Sequence, residues 1–177
     1  MAMVILDRQH IGKPNKPDDL GAYSELSQEY EAHMVGRYLL EVEWTLRKLG
    51  HRVVVLSDGH YNNRHKRANE FFAKEAIFHD HRSAMGAAAA LYIKDALGKI
   101  DGLESSKTLQ AQPSDWTSNA FNTIDGIYAG RGCGLCLEPF FIDAKQHSHL
   151  MSDEGLEQVG NAIAVGVDAW IASLKRG

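Results

Sequence analysis

A long amphipathic segment between two short apolar runs constrains the fold of this chain most strongly. Met3–Asp7 is a short apolar run, residues 26–49 carry apolar side chains at helical spacing, and residues 52–57 (RVVVLS) favour a strand. Gly50 follows the helical pattern directly, at a position where glycine commonly ends a helix. Strands that are joined through a helix pair in parallel, so the sequence predicts a β–α–β unit.

The rest of the chain continues this alternation of strands and helices. The patterns predict helices at residues 63–74, 84–100 and 154–174, and strands at residues 75–81 and 134–138. Such alternation is typical of an α/β fold, with a mostly parallel twisted sheet and helices on both faces. The chain has 177 residues without an internal repeat or linker, which predicts a single domain over residues 1–177.

Composition and charge exclude several classes of function. The formal net charge of −4 gives no basic field, so a nucleic-acid partner is not expected. No apolar run approaches the roughly 18 residues that span a bilayer, so membrane insertion is not expected. The first ten residues lack the basic region and cleavage site of a signal peptide, which predicts a cytoplasmic chain.

Polar residues at the ends of the predicted strands indicate where a site would form. His10 follows the first strand, His81 closes the strand at residues 75–81, and Glu138 ends the strand at residues 134–138. Parallel sheets bind ligands beyond the carboxyl ends of their strands, so we expect these side chains on one rim. His79 shares a strand face with His81 and remains an alternative to it.

Glu31 lies on the apolar stripe of the predicted helix at residues 26–49, in line with Val35, Val42 and Leu46. An ionised carboxylate on a core-facing stripe is costly unless it is paired or binds a metal. Two imidazoles and one carboxylate with an open position form a known catalytic zinc set. Zinc lowers the pKa of a bound water to about 7, and Glu138 would then act as the general base.

Other candidate ligands fit a metal site less well. Cys133 and Cys136 form a single CxxC pair on a predicted strand, which is too few ligands for structural zinc, so we interpret them as small buried residues. His147 and His149 resemble a ligand pair, but no third ligand lies near them in the sequence, so we expect ordinary roles for both.

Five features, in order along the chain, resemble one enzyme family. They are residues 7–12 (DRQHIG), Glu31 followed by Gly50, residues 64–69 (RHKRAN), residues 79–83 (HDHRS) and residues 135–143 (LCLEPFFID). Together they resemble the zinc-dependent N-acetylmuramoyl-L-alanine amidases of phage endolysins and bacterial cell-separation enzymes. The chain departs from that family at Gln9, His79 and Ser83, and through the unfamiliar segment 101–126.

The resemblance implies a specific reaction and specific residue roles. His10, Glu31 and His81 would bind one Zn²⁺ ion, and Glu138 would act as general base and then as general acid. The substrate would be peptidoglycan, cut at the amide bond between N-acetylmuramic acid and L-alanine. Apart from the resemblance, Arg131 precedes the strand that carries Glu138, where it could bind a carboxylate of the peptide stem bidentately or could equally be a solvated turn residue.

The resemblance also leaves alternatives open. A compact enzyme without a separate wall-binding domain suggests an endolysin that stays in the cytoplasm until it is released to the cell wall. A catalytic domain from a longer exported amidase fits the same features. A zinc peptidase or another amide hydrolase, and a degenerate non-catalytic wall-binding module, are the other hypotheses. The oligomeric state is not indicated by the sequence.

Overall fold

A computed structural model describes residues 1–8, 11, 18–57, 63–64, 67–68, 82–104, 134–135 and 137–175. In chain order its elements are β1 (Met3–Asp7), β2 (Tyr23–Ser24), β3 (Glu29–Tyr30), α1 (Glu31–Lys48), β4 (Arg52–Leu56), α2 (Arg82–Leu97), a 3-10 helix (Lys145–Met151) and α3 (Asp153–Leu174).

The β1 and β4 strands form a parallel pair that encloses α1 in sequence, which confirms the predicted β–α–β unit. Val4 lies opposite Val53 and Leu6 lies opposite Val55, so these four side chains share one face. They pack with the buried side chains of the helices: Val53 is buried, and Val4, Leu6 and Val55 are half-buried. The fold is therefore mixed α/β with a small parallel sheet.

The helix α1 ends at the glycine that the sequence indicated. Gly50 has φ +84°, its N–H donates to the carbonyl of Arg47 at 3.0 Å, and the N–H of His51 donates to the carbonyl of Leu46 at 3.0 Å. These two hydrogen bonds form a Schellman motif, which satisfies carbonyls of the last turn. The chain then passes directly into β4.

The start of α1 was predicted too early. The helix begins at Glu31, five residues after the predicted start at 26. The N–H of Gln28 donates to the carbonyl of Ser24 at 2.8 Å, which closes one turn, and Gln28 itself has φ 57°. That left-handed residue reverses the chain, so β2 and β3 pair as a short antiparallel hairpin before the helix starts.

Three helices pack together beside the sheet, and α1 lies against β4. The α3 helix packs against both α1 and α2, and its first turn is capped where the Gly155 N–H donates to Ser152 Oγ at 3.1 Å. The predicted helices at 84–100 and 154–174 are both present. The buried apolar side chains of these helices include Val35, Tyr38, Val42, Leu46, Ile93, Leu97, Leu156, Val159, Ile163 and Ala164.

The strand predicted at residues 134–138 is not found. Gly134, Leu135 and residues 137–140 have no regular secondary structure. Leu137 and Phe140 are half-buried and pack against the core, whereas Leu135 is exposed. The strand predicted at residues 75–81 lies outside the described residues.

No helix in the described part of the chain is long and apolar enough to cross a membrane.

Substituting Gly50 with alanine should destabilise the protein by about 1 kcal/mol, because an L-residue is strained at positive φ. A Cβ atom at this position meets nothing within 4 Å, so no steric clash adds to that cost. Gly50→Asn should lose less, because asparagine tolerates this conformation better. Urea denaturation of the three proteins measures the difference. Equal stability of wild type and Gly50→Ala would contradict the assignment of this helix end.

Candidate metal centre

Arg8 joins the end of β1 to the start of α1. Its backbone N–H donates to the carbonyl of Leu56 at 3.1 Å, which extends the pairing of β1 with β4. Its Nη2 donates to the carbonyl of Ala32 at 2.8 Å. Gly36 leaves room for this guanidinium, because a Cβ atom there would lie 2.6 Å from Arg8 Nη2. The carboxyl end of β1 therefore lies against the first turns of α1.

Arg64 holds the chain that follows β1. Its side chain is 0% exposed, and its Nε lies 3.2 Å from Asp7 Oδ1 in an ion pair. Nη1 donates to the carbonyl of Arg8 at 2.7 Å, and Nη2 donates to the carbonyl of Ile11 at 3.0 Å. His10 lies between these two carbonyls in the sequence, although it is itself outside the described residues. One buried guanidinium therefore fixes backbone on both sides of the predicted first ligand.

Glu31 is the first residue of α1 and is half-buried. Its Oε2 accepts a hydrogen bond from the Ala22 N–H at 3.2 Å, and its own N–H donates to the Ala22 carbonyl at 2.9 Å. The N-terminal end of a helix favours a negative charge, which stabilises this carboxylate. Glu31 is adjacent in sequence to Ala32, whose carbonyl binds Arg8. Glu31, the predicted carboxylate ligand, and Arg8, two residues before His10 in the sequence, therefore lie at the same end of α1.

Glu138 is exposed, on a segment that is anchored from both sides. Leu137 and Phe140 pack against the core, and the buried Ser24 Oγ donates to the carbonyl of Ile142 at 2.7 Å. Ser24 lies in β2, two residues after Ala22, whose backbone bonds to Glu31. The first residue of α1 bonds to the residue before β2, and the segment after Glu138 bonds to β2 itself through Ile142.

An open cavity borders the carboxyl end of the two-stranded sheet. It has a volume of about 520 Å³ and is lined by Arg8 after β1, by Ser57 after β4, and by His33 and Gly36 on α1. The cavity extends along α1 past Leu39, Leu40 and Glu43, and neither Glu31 nor Glu138 lines it.

His147 and His149 have separate partners and do not form a ligand pair. His147 stacks on the ring of Phe141 at 6.4 Å between centroids, and its Nδ1 lies 3.1 Å from that residue's backbone nitrogen. His149 Nε2 lies 3.0 Å from the carbonyl of Asp101. Both histidines therefore make contacts within the fold.

The remaining predicted site residues lie outside the described part of the chain. These are His10, His81, its alternative His79, Arg131, Cys133 and Cys136. Among the described residues, no group of three or more histidine, cysteine, aspartate or glutamate side chains could hold a metal ion. Glu31 is the one described member of the predicted ligand set.

The contacts of Arg8 and Arg64 could not be read from the sequence. Arg64 was noted there only as part of the RHKRAN segment, and 56 residues separate it from the carbonyl of Arg8 that it binds. The sequence did offer one indication of an ion pair: Asp7 ends the predicted strand β1, and a buried carboxylate there needs a cation.

Comparisons with protein-family models, with curated proteins and with solved structures found no match. The amidase interpretation therefore depends on the residues and spacing of the sequence together with the geometry of Arg8, Glu31 and Arg64.

Because the Arg8 side chain lies over Gly36, the stability change caused by Gly36→Ala should depend on whether Arg8 is present. In an Arg8→Ala background, Gly36→Ala should raise the free energy of unfolding by about 1 kcal/mol, because alanine favours a helix. In the wild type the new methyl group displaces the guanidinium and breaks its bond to Ala32, so the gain should be largely lost. Chemical denaturation of the four proteins measures this coupling, and an equal gain in both backgrounds would disprove it.

Proposed function

We propose that this chain is a zinc-dependent amidase that hydrolyses the bond between N-acetylmuramic acid and L-alanine in peptidoglycan. The observation that carries the proposal is the convergence of two chain segments at the start of α1. Arg64 holds the carbonyls of Arg8 and Ile11 on either side of His10, and Arg8 binds the carbonyl next to Glu31.

The donor set suits zinc. Zinc accepts imidazole nitrogen and carboxylate oxygen, and catalytic sites commonly combine two histidines and one acidic residue with an open position. Glu31 supplies a half-buried carboxylate at a helix N-terminus. His10 would supply the first imidazole, and His81, or His79 in its place, the second. When bound, zinc would polarise the scissile carbonyl and lower the pKa of a water molecule to about 7.

Glu138 would transfer the proton. Its carboxylate is exposed on an anchored segment, so it can meet a large substrate while its backbone stays fixed. It would accept a proton from the attacking water and then donate it to the nitrogen of the leaving amine. The lactyl carbon–nitrogen bond breaks, leaving a carboxylate on the sugar strand and a free amine on L-alanine. Arg131 would bind a carboxylate of the peptide stem.

The biological setting that we propose is lysis of a bacterial cell wall by a phage or prophage endolysin. The enzyme would accumulate in the cytoplasm and act after its release to the wall. A zinc peptidase is the competing activity, and the products separate the two, because an amidase releases intact stems that begin with alanine.

Metal analysis should find one zinc ion per chain in protein that is purified without chelators. Glu31→Gln and His10→Ala should each weaken zinc binding strongly, because each removes a ligand. His81→Ala and His79→Ala, made in parallel, identify the third ligand, and we expect the loss in His81→Ala. A zinc content that is unchanged in Glu31→Gln would rule out the proposed centre.

Glu138→Gln should lower the turnover of peptidoglycan by about 100-fold or more while zinc remains bound, because a general acid–base group is lost. Glu157→Gln on α3 is the matched control, since that glutamate is exposed and belongs to the scaffold. Mass analysis of the digest should show stems with a free N-terminal alanine. Wild-type turnover in Glu138→Gln, or cleavage within the stems, would contradict the proposal.

A further inference from the structure

The side chain of Arg8 has more hydrogen-bond donors than the described residues use. A guanidinium carries five N–H donors, and one of those on Arg8 Nη2 donates to the carbonyl of Ala32 at 2.8 Å. Arg8 Nε is buried without a hydrogen-bond partner, and the ion pairs among the described residues do not include Arg8. A half-buried cation in this state is costly, so a bound anion would stabilise it.

Arg8 is part of the wall of the open cavity beside α1. The volume of about 520 Å³ falls within the range of small-molecule sites, roughly 300–1,000 Å³. Leu39, Leu40 and Val55 supply an apolar part of the wall. Leu40 is 67% exposed, so a ligand that covers it removes apolar surface from water. The cavity therefore offers an apolar surface next to a cation.

The other charged side chains that line the cavity are already paired. Arg37 forms an ion pair with Glu29. Glu43 forms an ion pair with Arg47 at 2.8 Å. Two arginines and two glutamates line the cavity, so their formal charges cancel and no strong positive field is present. One guanidinium without a carboxylate partner among the described residues suits a ligand with a single negative charge better than a multiply charged one.

We propose that this cavity binds a small organic acid that has one carboxylate and an apolar body. The carboxylate accepts charge-assisted hydrogen bonds from the Nη atoms of Arg8. The apolar body lies against Leu39 and Leu40. Neither Glu31 nor Glu138 lines the cavity, so the site goes beyond the proposed zinc chemistry and does not rest on it.

The experiment titrates the full chain with three probes at neutral pH. Hexanoate has the carboxylate and the apolar body, hexanamide has the same body without the charge, and inorganic phosphate has charge without the body. Nuclear magnetic resonance follows the backbone amides of Gly36 and Ser57, which both line the cavity. Each titration is repeated with added zinc, because a carboxylate can also bind a metal.

Two variants and two matched controls locate the site. Arg8→Gln removes the cation, and Leu40→Asp puts a negative charge on the apolar wall. Lys48→Gln removes an exposed cation elsewhere on α1, and Leu91→Asp makes the same change at a leucine on α2 that is 49% exposed. Neither control residue lines the cavity.

Hexanoate should shift both amides and bind at least about tenfold more tightly than hexanamide, because hydrogen bonds to a charged group are strong. Arg8→Gln should raise the dissociation constant of hexanoate by about tenfold or more. Leu40→Asp should raise it by at least about fivefold, through lost apolar contact and like-charge repulsion. Both controls, and added zinc, should leave it unchanged.

Arg8→Gln also loses the bond to the Ala32 carbonyl, so Leu40→Asp decides the outcome if Arg8→Gln does not fold. Equal affinities for hexanoate and hexanamide would overturn the proposal, as would wild-type affinity in Leu40→Asp. Phosphate that binds as tightly as hexanoate would show a simple anion site and would also overturn it. The same holds for hexanoate binding that occurs only with zinc.

Discussion

The buried guanidinium of Arg64 is the interaction on which the shape of the chain at the end of β1 depends. A charge with no exposed surface persists because Asp7 and two backbone carbonyls replace its lost hydration. These three partners belong to the end of β1 and the residues after it, so they compensate the desolvation of Arg64 when that segment has the right shape. The stability of the fold and the geometry of the loop are thereby coupled.

A second set of contacts brings the start of α1 to the same segment. Arg8 crosses Gly36 to reach the carbonyl of Ala32, and the carbonyls of Leu20 and Ala22 accept the first N–H groups of α1. The β2–β3 hairpin therefore completes the helix N-terminus and at the same time binds the segment after Glu138. The parallel β1–α1–β4 unit and this hairpin are thus joined through the start of α1.

The sequence predicted those features that depend on local periodicity or on one residue's conformational preference. The strand Met3–Asp7, the end of α1 at Gly50 and the helix α3 were all predicted correctly. The start of α1 was not, because a turn closed by the left-handed Gln28 replaces helix before Glu31. The apolar residues at 134–138 suggested a strand, but the described ones form no regular secondary structure. A short apolar run is compatible with an irregular segment as well as with a strand, so the pattern alone does not separate the two. For the candidate centre, the position of Glu31 on an apolar helical stripe marked it as a candidate ligand. The contacts of Arg64 join residues that are 53 and 56 positions apart, so no local sequence pattern predicts them.

Anomalous diffraction at the zinc absorption edge, from crystals of the protein grown with zinc, tests the central claim most directly. We predict a single peak at the start of α1, about 2.0–2.2 Å from a ring nitrogen of His10 and from a carboxylate oxygen of Glu31. A peak whose ligands include neither residue would contradict the account. The account would also be contradicted if these crystals showed no zinc peak while Glu31 still accepted its hydrogen bond from the Ala22 N–H.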